Sequence, residues 1–300
     1  MNKYTLVTGA QGLVGSRFVE LYKEQETLLT PDIGEFDFLS AKGMETYLKG
    51  RDVETVINFA AYTDVASAEK ERGEKKGMSW RVNVEGLENL VKVIGKSAYF
   101  IHISTDMVFS GAQGDPGPYA EDHSLQDNPE KITWYGYTKS EGERLLKEYL
   151  NNLAILRIIY PVRAKYDLKL DYLRKPLKLY NEDKLYPLFR DQQVSISFID
   201  ETCVHLNKLL ETKMKGIYHS SSSDVTSPFE IISYLIEAKY GVKNAVKDAS
   251  IYEYFKNTDI PVRYPILGGL KTEFSQRAIG LKYSSWKEIV NKLIEQNIGY

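Results

Sequence analysis

The chain has 300 residues, 43% of them hydrophobic and 27% charged, with a net charge of −2. That length is ample for a sizeable core in one large domain or two joined ones. The balanced charge leaves no electrostatic footprint for nucleic acid, and the absence of an apolar run near the roughly 20 residues that span a bilayer gives no membrane partner.

No apolar signal region opens the chain, so the expected location is cytoplasmic. Cys203 is the single cysteine, which excludes an intrachain disulfide and a cysteine-cluster metal site; beside Val204 and Leu206 it reads as a small core residue. His102, His123, His205 and His219 show no metal-ligand spacing, so they are read as structural and no metal is expected. The charged run Glu69 to Lys76 reads as a solvated helix end or loop.

In chain order, Tyr4 to Thr8 is a short apolar run with strand character, followed by the turn GAQGLVG and by SRFVELYKEQ, residues 16 to 25, with helical spacing of Phe18, Leu21 and Tyr22. Strands are expected at Thr27–Thr30, Thr55–Phe59, Tyr99–Ser104 and Ala154–Ile159, and helices at Glu45–Leu48, Val82–Ile94 and Tyr137–Leu150. Strands that alternate with helices and are apolar on both faces form parallel βαβ units. The fold class is therefore α/β: a doubly wound parallel sheet of the Rossmann type with a smaller α/β domain. Beyond Pro161 the rhythm changes. Arg163 to Pro187 has no clear βαβ pattern; strands follow at Ser195–Ile199 and Gly216–Ser220, and helices at Glu201–Leu210, Pro228–Lys239 and Ser285–Gln296. The dinucleotide-binding domain is expected over 1–160 plus about 190–215, and the second domain over about 161–189 plus 216–300.

The turn Gly9-Ala10-Gln11-Gly12-Leu13-Val14-Gly15 has G-x-x-G-x-x-G spacing between a strand and a helix. A pyrophosphate needs a tight turn, close backbone approach and the N–H groups of a helix start, and glycine permits all three. Gly9, Gln11, Gly12, Leu13, Val14 and Gly15 are thus candidate cofactor contacts. Asp32 or Asp37, after the second strand, would accept the adenosine ribose hydroxyls and repel a 2′-phosphate, and Phe38 adjoins them. Between NAD(H) and NADP(H) this leans toward NAD(H).

TWYGYTKSEGE, Thr133 to Glu143, holds Tyr135 and Lys139 four residues apart. The same spacing recurs at Tyr180/Lys184, Tyr252/Lys256 and Tyr283/Lys287, so the pair alone does not separate a proton donor and its partner from an ordinary helix face. Only the first follows a strand that ends in Ser104-Thr105-Asp106, within the βαβ region that carries the glycine turn.

Six motifs in order, GAQGLVG, VINFAAYTDVASAE (Val56–Glu69), VNVEG (Val82–Gly86), HISTDMVFSG (His102–Gly111), PYAED (Pro118–Asp122) and YGYTKSEGE, resemble the extended short-chain dehydrogenases/reductases. Within that family the nearest likeness is to the dTDP-4-dehydrorhamnose reductases. It is strong over residues 1–160 and thinner beyond, where RDQQ, FIDETC and SSWKEIV still look similar. The resemblance implies an NAD(P)-dependent reductase of a nucleoside-diphosphate 4-keto sugar. Thr105 would hydrogen-bond the keto oxygen, with Ser104 as the alternative hydroxyl. Tyr135 would donate the proton, and Lys139 would orient the ribose and lower the phenol pKa. It further implies that Ala60, Ala61, Tyr62 and Ser104 line the cofactor, that Thr63, Thr105, Asp106 and Met107 face the substrate, and that Asn83 is structural; the sequence leaves the oligomeric state open, a homodimer among the options.

Departures gather on the presumed substrate side: Ile158-Ile159-Tyr160-Pro161 lacks the family's tryptophan, Val194 to Ser197 replaces a Gly-Ser-Pro-Thr segment, Met107 and Ala66 replace a tyrosine and an aspartate, and the loop from Thr105 to Tyr135 is long. The alternatives are a nucleotide-sugar epimerase on the same scaffold and a non-catalytic NAD(P)-binding regulatory subunit. Met107, where dehydratases carry glutamate, argues against a dehydratase.

Overall fold

The computed structural model describes residues 3–24, 27–256 and 263–300. The described chain begins β1 (Lys3–Thr8), α1 (Gly15–Tyr22), β2 (Leu28–Leu29), α2 (Ala41–Leu48), β3 (Asp52–Asn58), α3 (Val65–Lys70) and α4 (Met78–Trp80). A π-helical turn, Arg81–Glu85, leads into α5 (Gly86–Ile94), and β4 (Tyr99–Thr105), α6 (Trp134–Tyr149) and β5 (Leu153–Ile158) follow. Gln25, the expected end of the first helix, lies outside the described residues. The remainder comprises β6 (Pro161–Val162), α7 (Arg174–Asn181), β7 (Leu188–Phe189), β8 (Ser197–Phe198), α8 (Ile199–Thr212), β9 (Gly216–Ser220), α9 (Pro228–Tyr240), β10 (Asp248–Ala249), α10 (Ile251–Lys256), α11 (Glu273–Ile279) and α12 (Trp286–Glu295).

Among the described residues the main sheet has six strands in the order β2-β1-β3-β4-β5-β9, with β1 parallel to β2 and β3, and β3 parallel to β4. This is the expected doubly wound α/β fold. Leu6, Val56, Phe100 and Ile155, from four neighbouring strands, join Met44, Leu87, Leu90 and Leu146 from the helices in one buried cluster. Fully burying such side chains is worth about 1.5–3 kcal/mol each, the main force that holds helices to this sheet. No helix of the described residues is long and apolar enough to cross a membrane.

The chain divides into two compact units. The first comprises Met1–Val108, Ser124–Arg157 and Cys203–Tyr218, and the second Phe109–His123, Ile158–Thr202 and His219–Tyr300. The chain passes between them more than once, and residues 190–202 and Phe109–His123, read from the sequence as part of the first domain, fall in the second unit. The second unit has its own core, with Leu173, Leu177, Ile231, Leu235, Ile289 and Leu293 among its buried residues. Helix α7 lies in the stretch that showed no rhythm. Asp171 nucleates it: its carboxylate accepts the N–H groups of Leu173 and Arg174 and pairs with the Arg174 guanidinium at 2.7 Å, both side chains buried. Helices α9 and α12 begin with capping boxes, Ser227/Glu230 and Ser285/Glu288.

Helix α6 starts at Trp134, three residues earlier than its apolar spacing suggested. Thr133 supplies the cap by accepting the Gly136 N–H at 3.0 Å, and the Glu69 carboxylate accepts the Trp134 N–H at 2.9 Å. Arg72 holds Glu69 at 2.8 Å and also donates to the carbonyls of Pro129 and Ile132. The charged run read as solvated is thus partly a clamp on the approach to α6. The helix then packs so closely that a Cβ on Gly136 would stand 2.0 Å from the Met107 carbonyl oxygen. Farther along, buried Glu143 pairs with buried Arg157 of β5 at 2.7 Å.

Two stability measurements check this seating. Gly136→Ala forces α6 off a backbone carbonyl that cannot yield, and chemical denaturation should show a loss of about 2 kcal/mol or more; Gly114→Ala, with nothing near its added Cβ, should stay within about 0.5 kcal/mol. Arg157→Met strands the Glu143 carboxylate and should cost about 3–5 kcal/mol, whereas Lys3→Ala, which breaks the exposed pair with Glu54, should leave the denaturation midpoint almost unchanged.

Candidate active site

The glycine turn forms as its spacing required. Gly9 has φ +66°, and a Cβ there would meet the Ala60 backbone nitrogen at 2.7 Å. Gly15 is equally confined, its added Cβ standing 2.4 Å from the Gly9 carbonyl oxygen. A Cβ on Gly12 would meet only that same carbonyl, at 3.2 Å, so the outer side of the turn is open to a ligand. The first turn of α1 has no side-chain cap at Val14 and no acidic residue. A helix start of this kind, positive and not compensated by a local carboxylate, suits an anionic group such as a pyrophosphate. Gln11, Leu13 and Val14 lie on the turn itself.

Asp32 and Asp37 are exposed after β2. Each carboxylate is engaged by its own turn: Asp32 accepts the N–H groups of Gly34 and Glu35 at 2.8 and 2.9 Å, and Asp37 accepts that of Leu39 at 2.9 Å. Phe38 is a buried member of the main core, lying where an added Cβ on Gly86 would meet it at 2.8 Å. Ala60, Ala61 and Tyr62 follow β3, partly buried, while Thr63 is exposed. Asn83, in the π-helical turn, accepts the Tyr62 N–H at 2.8 Å and donates to the Tyr62 carbonyl and to the Thr138 hydroxyl of α6. Its side chain is thereby occupied in holding backbone, the structural role expected of it.

At the carboxyl end of β4 the two candidate hydroxyls separate. Ser104 donates to Glu143 at 2.6 Å and is tied into the buried Arg157 pair. Thr105 donates to Asp106 at 3.1 Å and accepts the Met107 N–H at 3.2 Å, and its hydroxyl is near enough to act on the Tyr135 phenol. Tyr135 sits in the first turn of α6, against the aromatic cluster of Trp80 and stacked Trp134. Burial pushes its phenol well above the ordinary range, and the Asp106 charge adds to the rise while the Thr105 bond opposes it. Burial likewise lifts the Asp106 carboxyl to about 7. Met107 follows, partly buried, with its backbone against Gly136.

Lys139 departs from its expected position. Its ammonium donates to the Ile103 carbonyl at 2.8 Å and meets His102 Nε2 at 3.1 Å, and burial lowers it to about 8. In this structure it does not lower the phenol pKa: one helical turn beyond Tyr135, it points at β4 rather than at the ring. His102, expected to be structural, is the β4 partner of Lys139, a contact the sequence reading did not foresee. The available signal was positional. His102 and Ser104 share a strand face, while Lys139 and Glu143 share a helix face, and the two pairs meet. Cys203 is buried, as expected, and no group of residues among those described could hold a metal ion.

The chain matches the family model described as RmlD substrate binding domain over residues 2–298. It is 26% identical over 299 residues to a dTDP-4-dehydrorhamnose reductase of Sinorhizobium fredii, covering 96% of this chain and 95% of that one. It is 25% identical over 257 residues to the methionine adenosyltransferase 2 subunit beta of Xenopus tropicalis, covering 78% and 71%. Among solved structures, a dTDP-4-dehydrorhamnose reductase from Bacillus anthracis in complex with NADP superposes with a TM-score of 0.84 at 27% identity, over 99% of this chain and 100% of that one. From the glycine turn through β4 and α6 to the C-terminal helices, the chain belongs to the RmlD substrate binding domain family of extended short-chain dehydrogenases/reductases.

Proposed function

We propose that the protein is a nicotinamide-dinucleotide-dependent reductase of a nucleoside-diphosphate 4-keto sugar. The observation that carries this reading is the convergence of Thr105, Tyr135 and Asp106 at the carboxyl end of β4, in a fold whose relatives over the full length include dTDP-4-dehydrorhamnose reductases. Gly9, Gly12 and Gly15 and the α1 helix start would hold the pyrophosphate. A bound reduced nicotinamide supplies the hydride. Thr105 directs its hydroxyl to the ketone oxygen, where negative charge develops, and Tyr135 delivers the proton to the same oxygen. Ser104, committed to Glu143, positions the strand end and does not touch the substrate. Lys139, fixed at the Ile103 carbonyl, keeps a cation one helical turn from the phenol.

Both turn-forming aspartates keep one carboxylate oxygen in backbone contacts, and the surface groove beside them is lined by Lys42 and Arg51 as well as Glu35. This mixed charge supports testing NADH and NADPH side by side. With a panel of 4-keto nucleotide sugars, net oxidation of the reduced cofactor is expected with at least one substrate. Tyr135→Phe should lower kcat by about 10²–10⁴-fold and Thr105→Val by about 10²–10³-fold. Tight cofactor binding without net oxidation would exclude the reductase, and analysis of the sugar isomers would then separate an epimerase from a regulatory subunit.

Asp106 adds a pH test. Its folded pKa, about 7, lies above the ordinary aspartate value of 3.8. Between these values the native state binds a proton that the unfolded state has released, so this contribution to stability is complete below pH 4 and is lost as pH rises through 7. Asp106→Asn keeps the shape and removes the titration. The melting temperature of the variant should therefore fall less than that of the parent between pH 5 and pH 8, the gap corresponding to at most about 3 kcal/mol. Parallel curves would show that Asp106 does not titrate in this range.

A further inference from the structure

Thr8, Asn58 and His102 occupy one row across the sheet: in the strand register Thr8 stands opposite Asn58, and Asn58 opposite His102. All three are buried, and the row continues into Lys139. The Thr8 hydroxyl lies 2.6 Å from Asn58 Oδ1, the Asn58 amide nitrogen 3.0 Å from His102 Nδ1, and His102 Nε2 3.1 Å from Lys139 Nζ, which also donates to the Ile103 carbonyl at 2.8 Å. A polar row in an otherwise apolar sheet costs desolvation unless every member is bonded. The row therefore has to be satisfied as a unit.

Donor and acceptor counting restricts how that is done. A neutral imidazole has one N–H and one bare nitrogen. Burial and the neighbouring lysine both hold His102 neutral. If Lys139 is an ammonium, it can only donate. His102 Nε2 must then be bare and Nδ1 protonated. Asn58 must turn its Oδ1 toward the ring and its amide nitrogen toward the Thr8 oxygen, an end-for-end rotation that leaves its shape unchanged. If Lys139 is a neutral amine, its lone pair can also accept, and a reversed pattern opens: Thr8 donates to Asn58 Oδ1, the amide nitrogen donates to Nδ1, and Nε2–H donates to the amine. Each arrangement gives every member of the row at least one hydrogen bond, and they differ by one proton, the one on Lys139. In the second pattern that proton has left for solvent, and His102 has exchanged tautomers without changing its own charge.

We propose that His102 is a positioning residue for Lys139, holding the ammonium through a bare Nε2, and that the row Thr8–Asn58–His102 reverses its hydrogen bonds as Lys139 loses its proton, so that the charge at α6 is coupled to the residue that precedes the glycine turn. Thr8 is followed directly by Gly9, so its hydroxyl hydrogen is committed to Asn58 only when Lys139 is neutral. The other ionisable group acting on Lys139 is Glu143, on its own helix; Glu143 is paired to Arg157 of β5, with Lys147 3.6 Å away. Burial places the Lys139 titration near neutrality, at about 8, so both patterns are accessible there.

The consequence for the reaction rests on the reductase reading; the coupling itself does not. The test is nuclear magnetic resonance of the cofactor-free protein labelled in histidine and lysine, followed from pH 6 to pH 10. His102 is expected to show a bare Nε2 and a protonated Nδ1 at low pH, and to exchange these tautomers with the same midpoint as Lys139. His102→Leu should lower the Lys139 midpoint by about one to two pH units. His102→Gln, whose side-chain oxygen can reach the Nε2 position, should restore it. With an active substrate, the alkaline limb of kcat should move down in the Leu variant and return in the Gln variant, whereas a merely structural role would lower activity without moving the limb. A tautomer unchanged through the Lys139 titration would overturn the proposal, and that measurement needs no variant to fold. An identical Lys139 midpoint in His102→Leu would overturn it as well. Loss of the reductase reading, seen as tight cofactor binding without net oxidation, would leave the resonance result standing on its own.

Discussion

The contact between α6 and β4 is the constraint on which the site depends. Along the helix, Tyr135, Lys139 and Glu143 recur at steps of four and share one face. Along the strand, His102 and Ser104 recur at a step of two and share another. Lys139 meets His102 and Glu143 meets Ser104, so two bonds fix both the position and the rotation of the helix. With the rotation set, Tyr135 falls beside Thr105 at the strand end. The close approach at Gly136 permits this seating, since any larger residue would meet the Met107 carbonyl.

Such a seat places charges where water is absent, and the structure shows how that is tolerated. Glu143 is buried among Arg157, Ser104 and Lys147, and these partners hold its carboxyl below the ordinary range against the effect of burial. Asp106 has hydroxyl and backbone donors but no cation, so burial prevails and its carboxyl rises to about 7. Lys139 has an acid on its own helix and a carbonyl and an imidazole across the contact, and burial still lowers it. The paired carboxylate is thus a fixed structural charge, while the two groups near the phenol titrate close to neutrality.

The departures from the family pattern fall largely outside this seat. The glycine turn, Asn83 and the β4–α6 contact lie in the first unit. The stretch that lacks tryptophan, Ile158 to Pro161, and the Val194 to Ser197 segment lie in the second. There Tyr160 adopts a left-handed backbone with φ +39° and stacks on Tyr172 with ring centroids 4.1 Å apart. A tyrosine held in that region is strained, and the stacked ring offsets part of the cost.

The parallel α/β fold and the glycine turn were legible in the sequence because they rest on local patterns: apolar runs, helical spacing, and glycines where only glycine fits. Thr105, Tyr135 and Lys139 could be named because ordered motifs placed one Tyr–Lys pair, out of four, after the right strand. Helix α7 escaped because it is nucleated by the Asp171–Arg174 pair rather than by an apolar stripe. The Glu69–Arg72 clamp escaped because a charged run looks the same whether it faces water or caps a distant helix. That Ser104 bonds Glu143 while Thr105 does not, and that Lys139 faces His102 rather than Tyr135, depended on helix rotation and strand register. Those are set by contacts between residues far apart in the chain, as from Thr8 to Asn58 and from Asn58 to His102, 50 and 44 positions apart along one row of the sheet. No local pattern in a single chain encodes such a row, and only the folded sheet brings it together.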